Sequence, residues 1–272
     1  MDLAGMWDFG DPAGTEARFR EALATATGED ALVLRTQIAR TLGLRHDLAA
    51  EREMLTAMRP ELEAAGPEPN ARWWLEWGRA WISAVTTPEE RTDEALMTAR
   101  DAYTRAFDIA SAAGLDGLAI DAVHMQAFVD TDPAAQLAWN DRGLAFAEAS
   151  TDPAGKRWEA SLRNNRGVAL HDLGRDEEAL AEFRTALALR EAQGDAVNTR
   201  IAWWMVAWML RLLGRTDEAL EIQLRLDEEW DAAGEPDPYV WEELEHLYRA
   251  KGDEPRAAQY AERRAANASA SS

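Results

Sequence analysis

Trp204 and Trp208 stand four residues apart, with Arg211 three residues further on, so one helix face carries two indoles and a guanidinium. A face of that kind can stack on a ring or sugar, or bury the apolar anchor of a peptide. Catalytic chemistry is harder to assemble from this chain. There is no glycine-rich phosphate loop, no H-E-x-x-H and no G-x-S-x-G. The four histidines, His46, His124, His171 and His246, lie far apart and show no metal-ligand spacing. Asp130 and Asp132 have the opening spacing of a calcium loop, but the glycine and closing glutamate are missing. Acids such as Glu177, Glu178, Asp227, Glu228 and Glu229 read as a solvated helix face. The residues point away from an enzyme and call for neither metal nor cofactor.

The elements that position these residues are helices, and they repeat. Trp158 to Gly194 reads as two amphipathic helices broken at Gly174, with Gly167 and Ala179 as small residues where the helices would approach closely. Gly174 suits a left-handed helix stop, and Asp176 suits the cap of the next helix. Gly214 follows 40 residues later and Gly252 another 38, each with a tryptophan 11 before it and an alanine 5 after it. Helix–turn–helix units at such a period indicate a helical solenoid.

The chain resembles the tetratricopeptide repeat (TPR) family, whose unit reads W-x2-L-G-x2-Y, then A-x3-F. Trp74-x2-Trp77-Gly78-x2-Trp81 fits the first half, and Trp241-x2-Leu244-Glu245-x2-Tyr248 keeps its aromatic positions. Gly167, Leu170, Ala179 and Phe183 supply the pattern in the opening hairpin, although Arg163 replaces its aromatic. The period is near 40 where the family has about 34, and no proline closes the units. The resemblance implies an all-α fold, a right-handed α-solenoid of antiparallel hairpins, in a single domain over 1–272. A cap helix falls in 1–30, hairpins in 31–66, 70–114, 115–152, 154–194, 197–234 and 237–266, and a flexible tail in 267–272. Gly66 to Asn70 reads as the clearest linker, with Asn70 as a helix cap.

The resemblance also implies that each hairpin's first helix lines a concave groove. Inward positions then fall 13, 10, 6 and 3 residues before the turn glycine. Taking Gly43, Gly174, Gly214 and Gly252 as turns and aligning one hairpin on Gly78, the candidate groove residues are Arg40, Arg72, Arg79, Asn164, His171, Trp204, Trp208, Arg211, His246 and Arg249. The twenty inward positions hold five arginines and two acids, a net of +3 in a chain of −21. An anionic peptide or protein segment fits such a groove. Two alternatives stay open: the arginines pair with acids on the next helix, and the longer repeat turns Trp204 and Trp208 into the core. Trp74, Trp81, Trp203 and Trp241 read as core anchors.

The expected function is therefore a non-enzymatic interaction scaffold, with a small-ligand module using the same tryptophans and arginines as the alternative. The net charge of −21 disfavours nucleic acid. No membrane span or export signal is visible, and the absence of cysteine fits a cytoplasmic protein. Self-association is left open. Arginine outnumbers lysine 27 to 2, the composition of a high-GC bacterium.

Overall fold

Apolar residues at helical spacing, punctuated by glycine stops, produce α-helices joined by turns, loops and two short 3-10 segments. The structure, a computed structural model, describes residues 3–270. Thirteen helices of twelve residues or more and one four-residue turn of helix are present, with no strand among the described residues. The fold is all-α, built from antiparallel hairpins of the α-solenoid class. The packing divides into two compact units, Met1–Trp158 and Glu159–Ser272.

The first unit contains α1 (Pro12–Leu23), α2 (Gly28–Leu44), α3 (Leu48–Leu62), α4 (Pro67–Arg79), α5 (Asp93–Ala112), α6 (Asp116–Val129), α7 (Pro133–Ala149) and the short α8 (Pro153–Lys156). The second contains α9 (Glu159–Asp172), α10 (Asp176–Gln193), α11 (Ala196–Leu212), α12 (Thr216–Ala233), α13 (Pro238–Ala250) and α14 (Glu254–Ala270). The hairpins are the α2/α3, α4/α5, α6/α7, α9/α10, α11/α12 and α13/α14 pairs; α2 starts at Gly28, α4 at Pro67, and α14 runs to Ala270, each beyond the range read from the repeats. Helix α14 continues through Asn267 to Ala270; the last two residues of the expected tail lie outside the described residues.

The turns of the second unit are closed as the sequence implies. Gly174, Gly214 and Gly252 have φ of 74°, 77° and 75°, a conformation that glycine adopts without a Cβ clash. The first unit differs at its opening hairpin. Gly43 lies inside α2, and the left-handed residue there is His46, with φ 62°. The expected turn is therefore three residues early. Counted from His46, the inward positions are Val33, Thr36, Arg40 and Gly43.

Three local expectations change for physical reasons. Asn70 caps no helix start, because Pro67 and Pro69 already open α4; its amide instead donates to the carbonyls of Leu62, Ala65 and Gly66 at the end of α3. Asp176 is the first residue of α10 and hydrogen-bonds His171 instead of the backbone. Gly167 does leave room for a close approach, but its neighbour is the Phe183 ring: a Cβ there would lie 2.6 Å from Phe183 Cε1. Gly78 accommodates the Tyr103 ring in the same way.

Of the four tryptophans expected as core anchors, Trp241 is buried, while Trp74, Trp81 and Trp203 are half-buried beneath arginine side chains. Trp73 takes the buried place beside Trp74 and donates its Nε1–H to the Leu55 carbonyl at 2.7 Å. No described helix is long and apolar enough to cross a membrane.

Candidate functional site

In the second unit the first helices α9, α11 and α13 bring an aromatic row together. Trp204 and Trp208 stack with centroids 6.1 Å apart and planes 8° from parallel, as their four-residue spacing on α11 requires. His171 of α9 meets Trp208 edge-on at 4.8 Å, and Tyr239 of α13 meets Trp204 edge-on at 6.5 Å. Trp208 also touches the buried Phe183 ring at 6.2 Å. The two indoles are thus half-buried, each with one side in the packing. At the start of this row Tyr239 is 65% exposed, Ile201 47% and Val197 44%. These three were not singled out as a site; Ile201 and Tyr239 hold the position 13 before the turn, which the repeat pattern already marks.

The basic members of the expected groove are already engaged. Arg211 reaches Glu243 of α13 through two hydrogen bonds, 2.7 and 2.8 Å, and Glu243 is buried. Arg249 pairs with Glu245 at 3.0 Å. Asn164 is half-buried on α9, and His246 is exposed on α13. Asp227, expected to be solvated, is half-buried and accepts from Trp241 Nε1, Tyr260 Oη and Arg263. Burial, then the Asp227 charge, pushes the Tyr260 phenol up to about 12. The excess of +3 across the inward positions is therefore largely compensated within the fold.

The first unit holds a different arrangement. Arg79 is buried and pairs with Glu76 at 2.7 Å and with Asp121 of α6. Burial works against its charge, but the two carboxylates outweigh burial and hold it firmly protonated. Burial likewise opposes ionisation of Asp121, and Arg79 and Arg40 overcome it, so its carboxyl lies below the usual range. Arg72 pairs with Glu68 one turn earlier, 2.9 Å away. Arg40 lays its guanidinium over Trp7 and Phe9 at 5.3 and 5.4 Å.

Glu51 is the residue that sequence reasoning missed. It begins α3 in a charged stretch, yet it is 1% exposed, and neither carboxylate oxygen has a hydrogen-bond partner. Burial, then the nearby Glu76, raises its carboxyl well above the ordinary value. Its one sequence signal is the glycine opposite. A Cβ on Gly43 would lie 2.5 Å from Glu51 Oε2. No group of three or more potential metal ligands occurs among the described residues.

The hairpin packing defines the class: a tetratricopeptide-like helical-repeat protein. Residues 158–225 match the tetratricopeptide repeat family. Among solved structures, the chain is similar to aspartyl phosphate phosphatase F from Bacillus subtilis, with 12% identity, 97% of this chain and 77% of that one covered, and a TM-score of 0.60. It is similar to a Rap protein complexed with competence and sporulation factor, with 14% identity, 98% and 76% coverage, and a TM-score of 0.58. It is also similar to NprR in complex with its cognate peptide NprX, with 13% identity, 96% and 76% coverage, and a TM-score of 0.55. No curated protein matches the sequence.

Proposed function

We propose that the protein is a non-enzymatic binding scaffold that takes a peptide or protein segment on the face shared by α9, α11 and α13. The observation that carries this reading is the aromatic row ending in exposed side chains, Ile201 and Tyr239, beside the stacked Trp204 and Trp208. An apolar or aromatic anchor of the partner fits there, because such surfaces bury apolar area at small entropic cost. The similar structures of a Rap protein complexed with competence and sporulation factor and of NprR in complex with its cognate peptide support the same class of partner.

An acidic flank on the partner is the secondary feature. Arg249 and His246 lie at inward positions of α13, while Arg211 already commits its Nε and Nη2 to Glu243 and would offer a partner carboxylate only its remaining N–H groups. Nucleic acid is a poor partner for a chain of −21, and the absence of cysteine suits the cytoplasm of a bacterium. The test is selection of binders from a peptide library on the full chain, followed by Ile201→Glu and Tyr239→Ala. Selected peptides carrying an apolar anchor, with affinity lost at least roughly tenfold in both variants at unchanged melting temperature, support the reading. Peptides indifferent to both substitutions overturn it.

A further inference from the structure

In the first unit, α2, α3, α4 and α6 surround a half-enclosed cavity of about 200 Å³. Its lining divides into polar groups, Arg40, Glu51, Arg79, Asp121 and His124, and an apolar wall that includes Val85, Met125, Phe128 and Trp158. Arg79 and Asp121 are committed to each other. Glu51 and Arg40 are not. Both Glu51 oxygens are buried without a donor. Arg40 uses the face of its guanidinium on Trp7 and Phe9, and the N–H groups around its edge meet no carboxylate among the described residues. The two groups line one cavity, yet they do not pair with each other.

A buried acid without a donor and a half-buried base without an acceptor each carry a desolvation cost that an ionic partner relieves. An anion alone would serve Arg40 and leave Glu51 unsatisfied, with Glu76 and Asp121 nearby to repel it. A cation alone would leave Arg40 unanswered. We propose that this cavity binds a small zwitterion of amino-acid size, its ammonium on Glu51, its carboxylate on Arg40 and its apolar part against Val85, Met125, Phe128 and Trp158.

The volume limits the ligand, since it falls below the roughly 300–1,000 Å³ of drug-sized sites. Gly43 belongs to the site as well. Glycine weakens a helix interior, and here it leaves the space that the Glu51 carboxyl occupies. Burial, then Glu76, favours the neutral form of the Glu51 carboxyl in the free protein; an arriving ammonium favours its charged form, so binding is expected to be coupled to proton release. The site lies wholly in the first unit and stands or falls independently of the aromatic row in the second.

The test is titration calorimetry on the full chain with L-leucine, leucine amide and 4-methylpentanoate, together with a series of ω-amino acids. A zwitterion is expected to bind, at whichever charge separation fits, with each single-charge analogue weaker by roughly tenfold or more. Glu51→Gln and Arg40→Gln are each expected to lose a similar factor while the helical circular dichroism is kept. Gly43→Ala should abolish binding by displacing the carboxyl. Heats that vary with buffer ionisation would report the released proton. The proposal is overturned if no zwitterion gives heat, if the amide or the carboxylate binds as well as the zwitterion, or if Glu51→Gln retains full affinity.

Discussion

The two units use one repeat position in opposite ways. Six residues before the turn, the first unit places Arg40 and, by the Gly78 alignment, Arg79; the second places Val168, Trp208 and His246. In the first unit that row leads into a buried charge cluster with a cavity beside it. In the second it is part of an aromatic row whose outer members are exposed. The hairpin fixes where a side chain points, and the residue type decides whether that place becomes an enclosed polar site or an open apolar one. A solenoid can vary this from unit to unit because each repeat packs only on its neighbours.

The largest test of the contrast is to remove an arginine from each unit. Arg79→Met leaves Asp121 and Glu76 buried and uncompensated, and should cost about 3–5 kcal/mol in urea unfolding. Arg211→Met uncovers Glu243 at a less buried pair and should cost about 1–3 kcal/mol. Equal costs would mean that the two clusters do not differ in burial.

Next in size are the glycines that admit a ring. Gly167→Ala drives a methyl into Phe183 and should cost about 1–3 kcal/mol, with Gly78→Ala similar against Tyr103. A stabilised Gly167→Ala variant would show that Phe183 can retreat.

A smaller effect separates the units by pH. The unfolded chain loses the Glu51 proton in the ordinary carboxylate range, whereas the fold keeps it, held mainly by burial and then by Glu76 against Arg79, Arg52 and Arg40. Native stability therefore falls as pH rises from the unfolded value towards the folded one. Glu51→Gln removes that slope, so it should gain on the parent from about pH 5 upward and match it below about pH 4. Parallel pH–stability curves would place Glu51 in contact with solvent or a cation. Smallest of all, Tyr239→Ala should change stability by no more than ~0.5 kcal/mol, since its ring is largely exposed.

Local pattern carried the turns of the second unit: Gly174, Gly214 and Gly252 are short-range signals, and each takes the left-handed conformation. What failed was register across helices. Gly43 looked like the first turn because glycine usually takes that conformation, but His46 holds it and slides the inward set by three residues. The partner of each arginine depends on which acid the next helix presents, and spacing within one helix does not contain it; hence Arg211–Glu243 and Arg79–Asp121 were invisible. Glu51 sits among charged neighbours, and its one hint, Gly43, gains meaning only once packing sets the two side by side.

The arginines that cover the tryptophans have a consequence for how this sequence can drift. Arg225 lies 4.1 Å over Trp203, Arg200 3.7 Å over Trp230, Arg105 4.6 Å over Trp74 and Arg263 4.6 Å over Trp241. A flat guanidinium shields an indole face while keeping its charge in water; an ammonium on a flexible stem does this less well. At these four positions arginine is favoured over lysine for a physical reason, whatever nucleotide composition contributes elsewhere. A lineage moving towards AT-rich codons would exchange arginine for lysine at many surface sites freely, but at these positions each exchange would bare a ring and invite aggregation.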